Sequence, residues 1–169
     1  MELRPAVVSN KSTFNAENAS GEYLTFSLGS ESYALEILKV QEIRGYDTVT
    51  KIVNTPEFVK GVVNLRGKIV PIVDLRVKFG LQQAEYDELT VVIILNLNGR
   101  DVGIVVDSVS DVIDLKAEQI RNIPSLVSTI DTKHLVGLAT IDEQMLILVD
   151  IEKLMSPQEF AFLDATLIN

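Results

Sequence analysis

From Tyr23 onward, apolar residues fall in short runs that alternate with polar ones, and each run ends at turn-forming residues. In EYLTFSLGSESYALEI, Leu24, Phe26 and Leu28 alternate before Gly29-Ser30, and Tyr33, Leu35 and Ile37 alternate after it. Period-two alternation on both sides of a short turn predicts a β-hairpin. TVVIILNLNGRDVGIVVDSV repeats the arrangement about Asn98-Gly99, the dipeptide best suited to a tight hairpin. GVVNLRGKIVPIVDL and GLATIDEQMLILVDI read as two further hairpins, each made of short apolar runs bounded by turn residues. Residues 1–20 are rich in Ser, Asn and Ala and show no sustained period, which predicts a mobile N-terminal tail.

The hairpins form two related sets. Tyr23–Ile37 matches Val92–Val106 at an offset of 69, and Gly61–Leu75 matches Gly137–Ile151 at an offset of 76. Gly61/Gly137, Val73/Val149 and Asp74/Asp150 are identical between the halves. The expected fold is mainly β: two similar small barrels, from repeats near 23–79 and 91–155, packed together because neither buries enough alone. The apolar pattern does not say whether strands cross between them. Helical signals are few. Ser156 as N-cap, Pro157 at the first helical position and Glu159 completing a capping box predict a C-terminal helix over 156–169. Phe160, Leu163 and Leu167 share its docking face. NTPEFVKG and DLKAEQI are each read as about one helical turn.

Composition narrows the partners. The formal charge of −9 and a pI near 4.6 argue against nucleic acid and against direct binding to anionic membranes, leaving proteins as partners. A mean hydropathy of +0.24 suggests that some apolar surface is meant to be covered. The absence of cysteine removes disulfides, thiolate metal sites and thiol nucleophiles, and fits a reducing compartment. The first residues carry no apolar h-region, and VVIIL and MLILV are far shorter than a membrane span, so a soluble, cytoplasmic protein is expected.

Candidate chemistry is sparse. His134 is the single histidine, no GxSxG surrounds any serine, and no phosphate-binding glycine motif is present. Asp107, Asp111 and Asp114 interleave with Val106, Val109, Val112 and Ile113, which reads as the exposed face of a half-buried strand rather than a cation site. Asp74 and Asp150 recur at equivalent places, as caps of the turns that follow. No catalytic residue, cofactor or metal is expected. The two equivalent hairpins differ at their tips: Leu65-Arg66-Gly67-Lys68 in one, Ile141-Asp142-Glu143-Gln144 in the other. Arg66 is therefore not required to build the hairpin, and two readings stand: a solvated turn residue, or an interface anchor. In EILKVQEIRGYD the apolar phase shifts between Ile37 and Leu38, predicting a bend or bulge, after which Val40 and Glu42 fall on one side.

The stretches ILKVQEIRGY, KGVVNLRGKIVPIVDLRVKF, VGIVVDSVSDVI and MLILVDIEKL closely resemble the CheW family, the coupling proteins of bacterial chemotaxis. The resemblance runs from about Tyr23 to the C-terminal helix. It implies two five-stranded SH3-like barrels around a shared apolar core, over residues 21–158, without catalytic activity. It also implies that the protein joins the cytoplasmic tips of chemoreceptors (methyl-accepting chemotaxis proteins) to the regulatory domain of the histidine kinase CheA, with further copies of itself in rings. Carried over residue by residue, Val40, Glu42 and Arg66 line or flank the receptor contact, with Gly61 and Val91 permitting close approach. Gly103 and Val105 on the second barrel, with Arg121 and Leu126, match kinase contacts. The family often has an aromatic residue where this chain has Leu126. The same module occurs in CheV-type proteins of two-component signalling, which add a receiver domain; no stretch of these residues reads as one. A small β-barrel ligand carrier is the remaining alternative, and it requires an enclosed pocket.

Overall fold

The computed structural model describes residues 15–81, 86–122 and 135–168. The predicted hairpins are β1 (Gly21–Leu28) with β2 (Glu31–Glu36), β4 (Val59–Leu65) with β5 (Lys68–Asp74), β6 (Val91–Leu97) with β7 (Arg100–Val106), and β10 (Leu135–Ile141) with β11 (Gln144–Val149). Between them lie β3 (Val40–Gly45), β8 (Ser108–Leu115) and the short β9 (Ile120–Arg121). The helices are α1 (Ala16–Ala19), α2 (Leu75–Lys78) and α3 (Pro157–Ile168).

Among the described residues the strands form two sheets. Sheet A runs β8-β1-β2-β11-β10-β9 and sheet B runs β3-β6-β7-β5-β4. The ladders repeat with the offsets of the sequence: Ala34 lies opposite Leu148 in the parallel β2–β11 pair, and Gly103 opposite Ile72 in the parallel β7–β5 pair. The sequence repeats and the sheets nonetheless have different boundaries. The first hairpin of each repeat joins the last hairpin of the other, so sheet B is the continuous stretch β3–β7 and sheet A combines β1–β2 with β8–β11. Sheet B is thus inserted into sheet A.

Three apolar clusters follow from this layout. One lies between the sheets and draws on both, including Phe26, Tyr33 and Leu35 with Ile93, Leu95 and Ile104. Sheet A closes over Tyr23, Ala34, Leu146 and Leu148, and sheet B over Leu65, Ile72, Val92, Ile94 and Val105. This is the expected pair of small barrels around a shared core, each filled by its own side chains, with sheet A counting six strands, the two-residue β9 included, where five were expected.

The described chain crosses between sheets at two places, and an ion pair sits at each. From β2 to β3 it crosses through a 3₁₀ turn, Ile37–Lys39, whose Lys39 pairs with Glu152. From β7 to β8 it crosses at one residue, Asp107. One Asp107 oxygen accepts from Arg76 Nη1 at 2.9 Å, and the other accepts from the Gly29 N–H at 2.8 Å in the β1–β2 turn. Arg76, 1% exposed, also donates to Asp74, which is fully buried and accepts a further bond from Tyr86 Oη at 2.8 Å. Burial works against the Arg76 charge, but its bonds with Asp74 and the charge of Asp107 outweigh that and hold its pKa above the ordinary arginine value.

Asp74 and Asp150 cap α2 and the 3₁₀ turn Ile151–Lys153. Ser156 and Glu159 form the reciprocal capping box at 3.1 and 2.9 Å. Phe160 is buried, while the side chains of Leu163 and Leu167 lie outside the described residues. DLKAEQI contains the 3₁₀ turn Ala117–Gln119. NTPEFVKG forms only a turn, closed by Val59 N–H to Pro56 O at 3.0 Å. The end of the segment read as a tail is instead ordered: Asn15 caps α1, and Ala19 is buried and accepts from Tyr23 Oη at 2.6 Å. Four residues carry too little periodicity to announce a helix.

Candidate functional site

The β4–β5 tip has positive φ at both central residues, 54° at Arg66 and 84° at Gly67. Asp142 and Glu143 at the equivalent β10–β11 tip have φ of 51° and 67° without a glycine. The conformation thus belongs to the two-residue turn, and Arg66 is not strained for a purpose of its own. The Asn64 side-chain oxygen accepts from the Gly67 N–H at 2.8 Å, fixing the approach to the tip. The Arg66 side chain is 71% exposed and reaches across to β3, where Nη2 donates to Glu42 Oε1 at 2.6 Å. Arg44 donates to the other Glu42 oxygen at 3.2 Å.

The link joins the two edges of sheet B, β3 and β4, and so helps close that barrel. At the same offsets the other repeat has Asp111 and, at its tip, Asp142, two carboxylates that offer no such ion pair. Hydrogen bonding to Arg66, opposed by partial burial and aided by Arg44, holds the Glu42 carboxyl below its ordinary pKa. Glu42 is 29% exposed, so both members of the pair remain accessible.

A bulge orients Glu42. Val40 lies opposite Leu95 and Glu42 opposite Ile94, leaving Gln41 as the extra residue. Two chain residues on one partner step reverse the alternation. Val40 therefore packs on the inter-sheet core, whereas Glu42 turns to the tip; they do not share a side, as the sequence had suggested. The phase shift at Ile37–Leu38 is real but comes from the 3₁₀ turn at the crossover. Gln41 donates to Asp101 Oδ1 at 2.6 Å, as does Asn96 at 3.1 Å, while Lys68 donates to Asp101 Oδ2 at 3.0 Å. Burial opposes ionisation of Asp101, but these donors outweigh it and keep its pKa below the usual carboxylate value.

The other sequence-derived positions separate. Val91 packs half-buried on the inter-sheet core opposite Gly45, four residues along β6 from Leu95, or about 13 Å from the Val40 end of the ladder. Gly61 is needed by its own chain. With φ of 149°, a Cβ there would lie 2.3 Å from the Thr50 carbonyl oxygen, where Thr50 and Val62 exchange backbone bonds. Gly103 and Val105, expected at a kinase contact, present no exposed side chain. Both are buried in sheet B, the sheet that carries Arg66, and a Cβ on Gly103 would meet Ile72 and Val92 at 2.7 and 2.8 Å. Hairpin exchange moved them out of the barrel to which their repeat assigns them. Arg121 is exposed on edge strand β9, with Nη1 donating to Glu118 O at 2.9 Å. Leu126 and His134 lie outside the described residues.

Asp107 is engaged at the crossover, and among the described residues no group of His, Asp and Glu side chains is arranged to hold a metal. No helix among them is long and apolar enough to cross a membrane. Asp101 and Gln41 escaped the sequence reading, and Lys68 entered it only as part of the tip. The signal was present as a difference between repeats, because at the same offsets the other half has Ser32, Ser110 and Gln144.

Residues 22–159 match the model of the CheW-like domain family. The chain is 58% identical over 159 residues to Chemotaxis protein CheW of Klebsiella aerogenes, covering 94% of this chain and 96% of that protein. It is 33% identical over 138 residues to Probable chemotaxis protein CheW of Rhizobium etli, covering 82% and 89%. Among solved structures, the scaffolding protein TtCheW from Thermoanaerobacter tengcongensis is similar with a TM-score of 0.76 and 36% identity, over 83% of this chain and 95% of that one.

Proposed function

The chain belongs to the CheW-like domain family, and on that premise we propose that the Arg66 tip is the surface by which it docks onto chemoreceptors. Its role is that of a coupling adaptor in chemotaxis signalling, a scaffolding task that asks for surfaces rather than reacting groups. The observation that carries the docking assignment is the exposed Arg66–Glu42 pair, built on one sheet and missing from the repeat that otherwise copies it.

An exposed ion pair contributes little to folding, typically under about 1 kcal/mol. Its charges are free to exchange partners. An acidic or carbonyl group on a receptor tip takes the Arg66 guanidinium, and a charge-assisted contact of that kind contributes about 1.5–3 kcal/mol when covered. The second partner is the regulatory domain of the kinase CheA. With Gly103 and Val105 buried, Arg121 on the edge of sheet A is the described residue suited to that contact. The two partners then meet different sheets. The protein works in the cytoplasm, drawn to receptor clusters by protein contacts, and catalyses nothing.

Co-sedimentation with receptor-containing membranes and, separately, capture by the kinase regulatory domain test the assignment on wild type and Arg66→Glu. Loss of the first with retention of the second is expected. Retention of both returns Arg66 to an ordinary turn residue.

A further inference from the structure

The two repeats provide an internal control for any polar cluster on either sheet. In sheet A, Gln144 Nε2 on β11 donates to Ser32 Oγ on β2 at 2.8 Å. The equivalent link in sheet B is Lys68 on β5 to Asp101 on β7 at 3.0 Å. Both bridge the parallel strand pair at the same offsets, so a neutral link satisfies the fold. In sheet B alone the acceptor is a carboxylate, and it collects two more donors, Gln41 and Asn96. Their counterparts at the same offsets are Ser110 and Ser27, whose shorter side chains form no such cluster.

Asp101 thus ties to β7 its two neighbours, β6 and β5, and the edge strand β3 beyond β6, with its own side chain only 9% exposed. Two of its donors flank the docking pair. Gln41 is the bulged residue whose placement turns Glu42 toward the tip, and Lys68 is the first β5 residue after Arg66-Gly67. The carboxylate therefore grips the strand beneath Glu42 and the strand leaving Arg66 at once.

We propose that Asp101 is the positioning residue of the docking tip: by holding Gln41 and Lys68 together it presents Arg66 and Glu42 as one preformed charged pair. The affinity it serves rests on the docking role proposed above; the positioning does not. A preformed pair loses less side-chain freedom when a partner arrives, so Asp101 raises affinity without touching the partner.

The test uses the double variant Asp101→Ser with Lys68→Gln, which gives sheet B the neutral link on which sheet A already folds. Asp101→Asn is the second variant, and Ser32→Ala in sheet A is the control. Without any partner, the Arg66 Nε–Hε resonance is followed by 15N relaxation. In wild type and Ser32→Ala it is expected to be ordered, and in both Asp101 variants to approach the mobility of free arginine. Receptor-containing membranes are then titrated against the same proteins. The Asp101 variants should bind roughly tenfold more weakly, the loss of about one charge-assisted hydrogen bond. The kinase regulatory domain should bind all four alike. If Arg66 stays ordered in the Asp101 variants, the proposal is overturned. It is equally overturned if Arg66 is loosened while receptor affinity holds. If wild type itself fails to bind receptor membranes, the docking role falls, and the relaxation data still decide whether Asp101 orders the tip.

Discussion

Arg66 and Arg76 are ten positions apart and are used in opposite ways. Arg66 stands in solvent with one accessible partner, while Arg76 is buried between Asp74 and Asp107 and lies 4.9 Å from the centre of the Tyr86 ring. Replacing an exposed charge barely moves stability, whereas removing one member of a buried ion pair leaves the other charge without compensation. Arg76→Met is therefore expected to cost about 3–5 kcal/mol in urea unfolding, and Arg66→Ala less than about 1 kcal/mol. Equal, small costs would mean that solvent reaches the Arg76 cluster. Gly61 and Gly103 carry a similar distinction. The family resemblance implies contact roles for them, but the atoms they spare belong to Thr50, Ile72 and Val92 of the same chain.

At the scale of elements, the hairpins were legible because each is specified within some fifteen residues, by alternation and by a turn pair. The Val40–Glu42 relation was not, since a bulge shows itself only against the partner strand. The burial of Gly103 and Val105 was hidden for a longer-range reason: their sheet is completed by strands from the other repeat. The tips also differ in cost. Asp142 and Glu143 both occupy the left-handed region, which opposes side chains by about 1–2 kcal/mol per residue. Glu143→Gly relieves one of these and adds some freedom to the unfolded chain, for a net gain of about 0.5–1 kcal/mol. A rise of about 2 °C in Tm is the expected reading. An unchanged or lower Tm would mean that the Glu143 side chain makes a stabilising contact that outweighs the strain.

The whole molecule is two sheets connected at 37–39 and at 107, while its sequence repeats meet in the eighties. A break between residues 82 and 85 therefore separates β3–β5 from β6–β7 and β1–β2 from β8–β11, leaving neither sheet complete. The two pieces are expected to show collapsed amide dispersion alone and native-like dispersion once mixed. A piece that folds by itself would show that a repeat, and not a sheet, is the cooperative unit.

The same insertion sets an order on biosynthesis. The strands of sheet B leave the ribosome consecutively, but β2 pairs with β11, so Ala34 waits for Leu148. Until then the earliest hairpin carries an open edge at Ser32–Ala34 while its middle neighbours already have their partners. A nascent chain stalled or cut short before β11 is thus a recognisable object: a finished sheet B beside a sheet A whose β2 is paired only with β1. Such an edge is a template for pairing with other chains and exposes the growing chain to aggregation, so β11 is the strand that seals sheet A during synthesis.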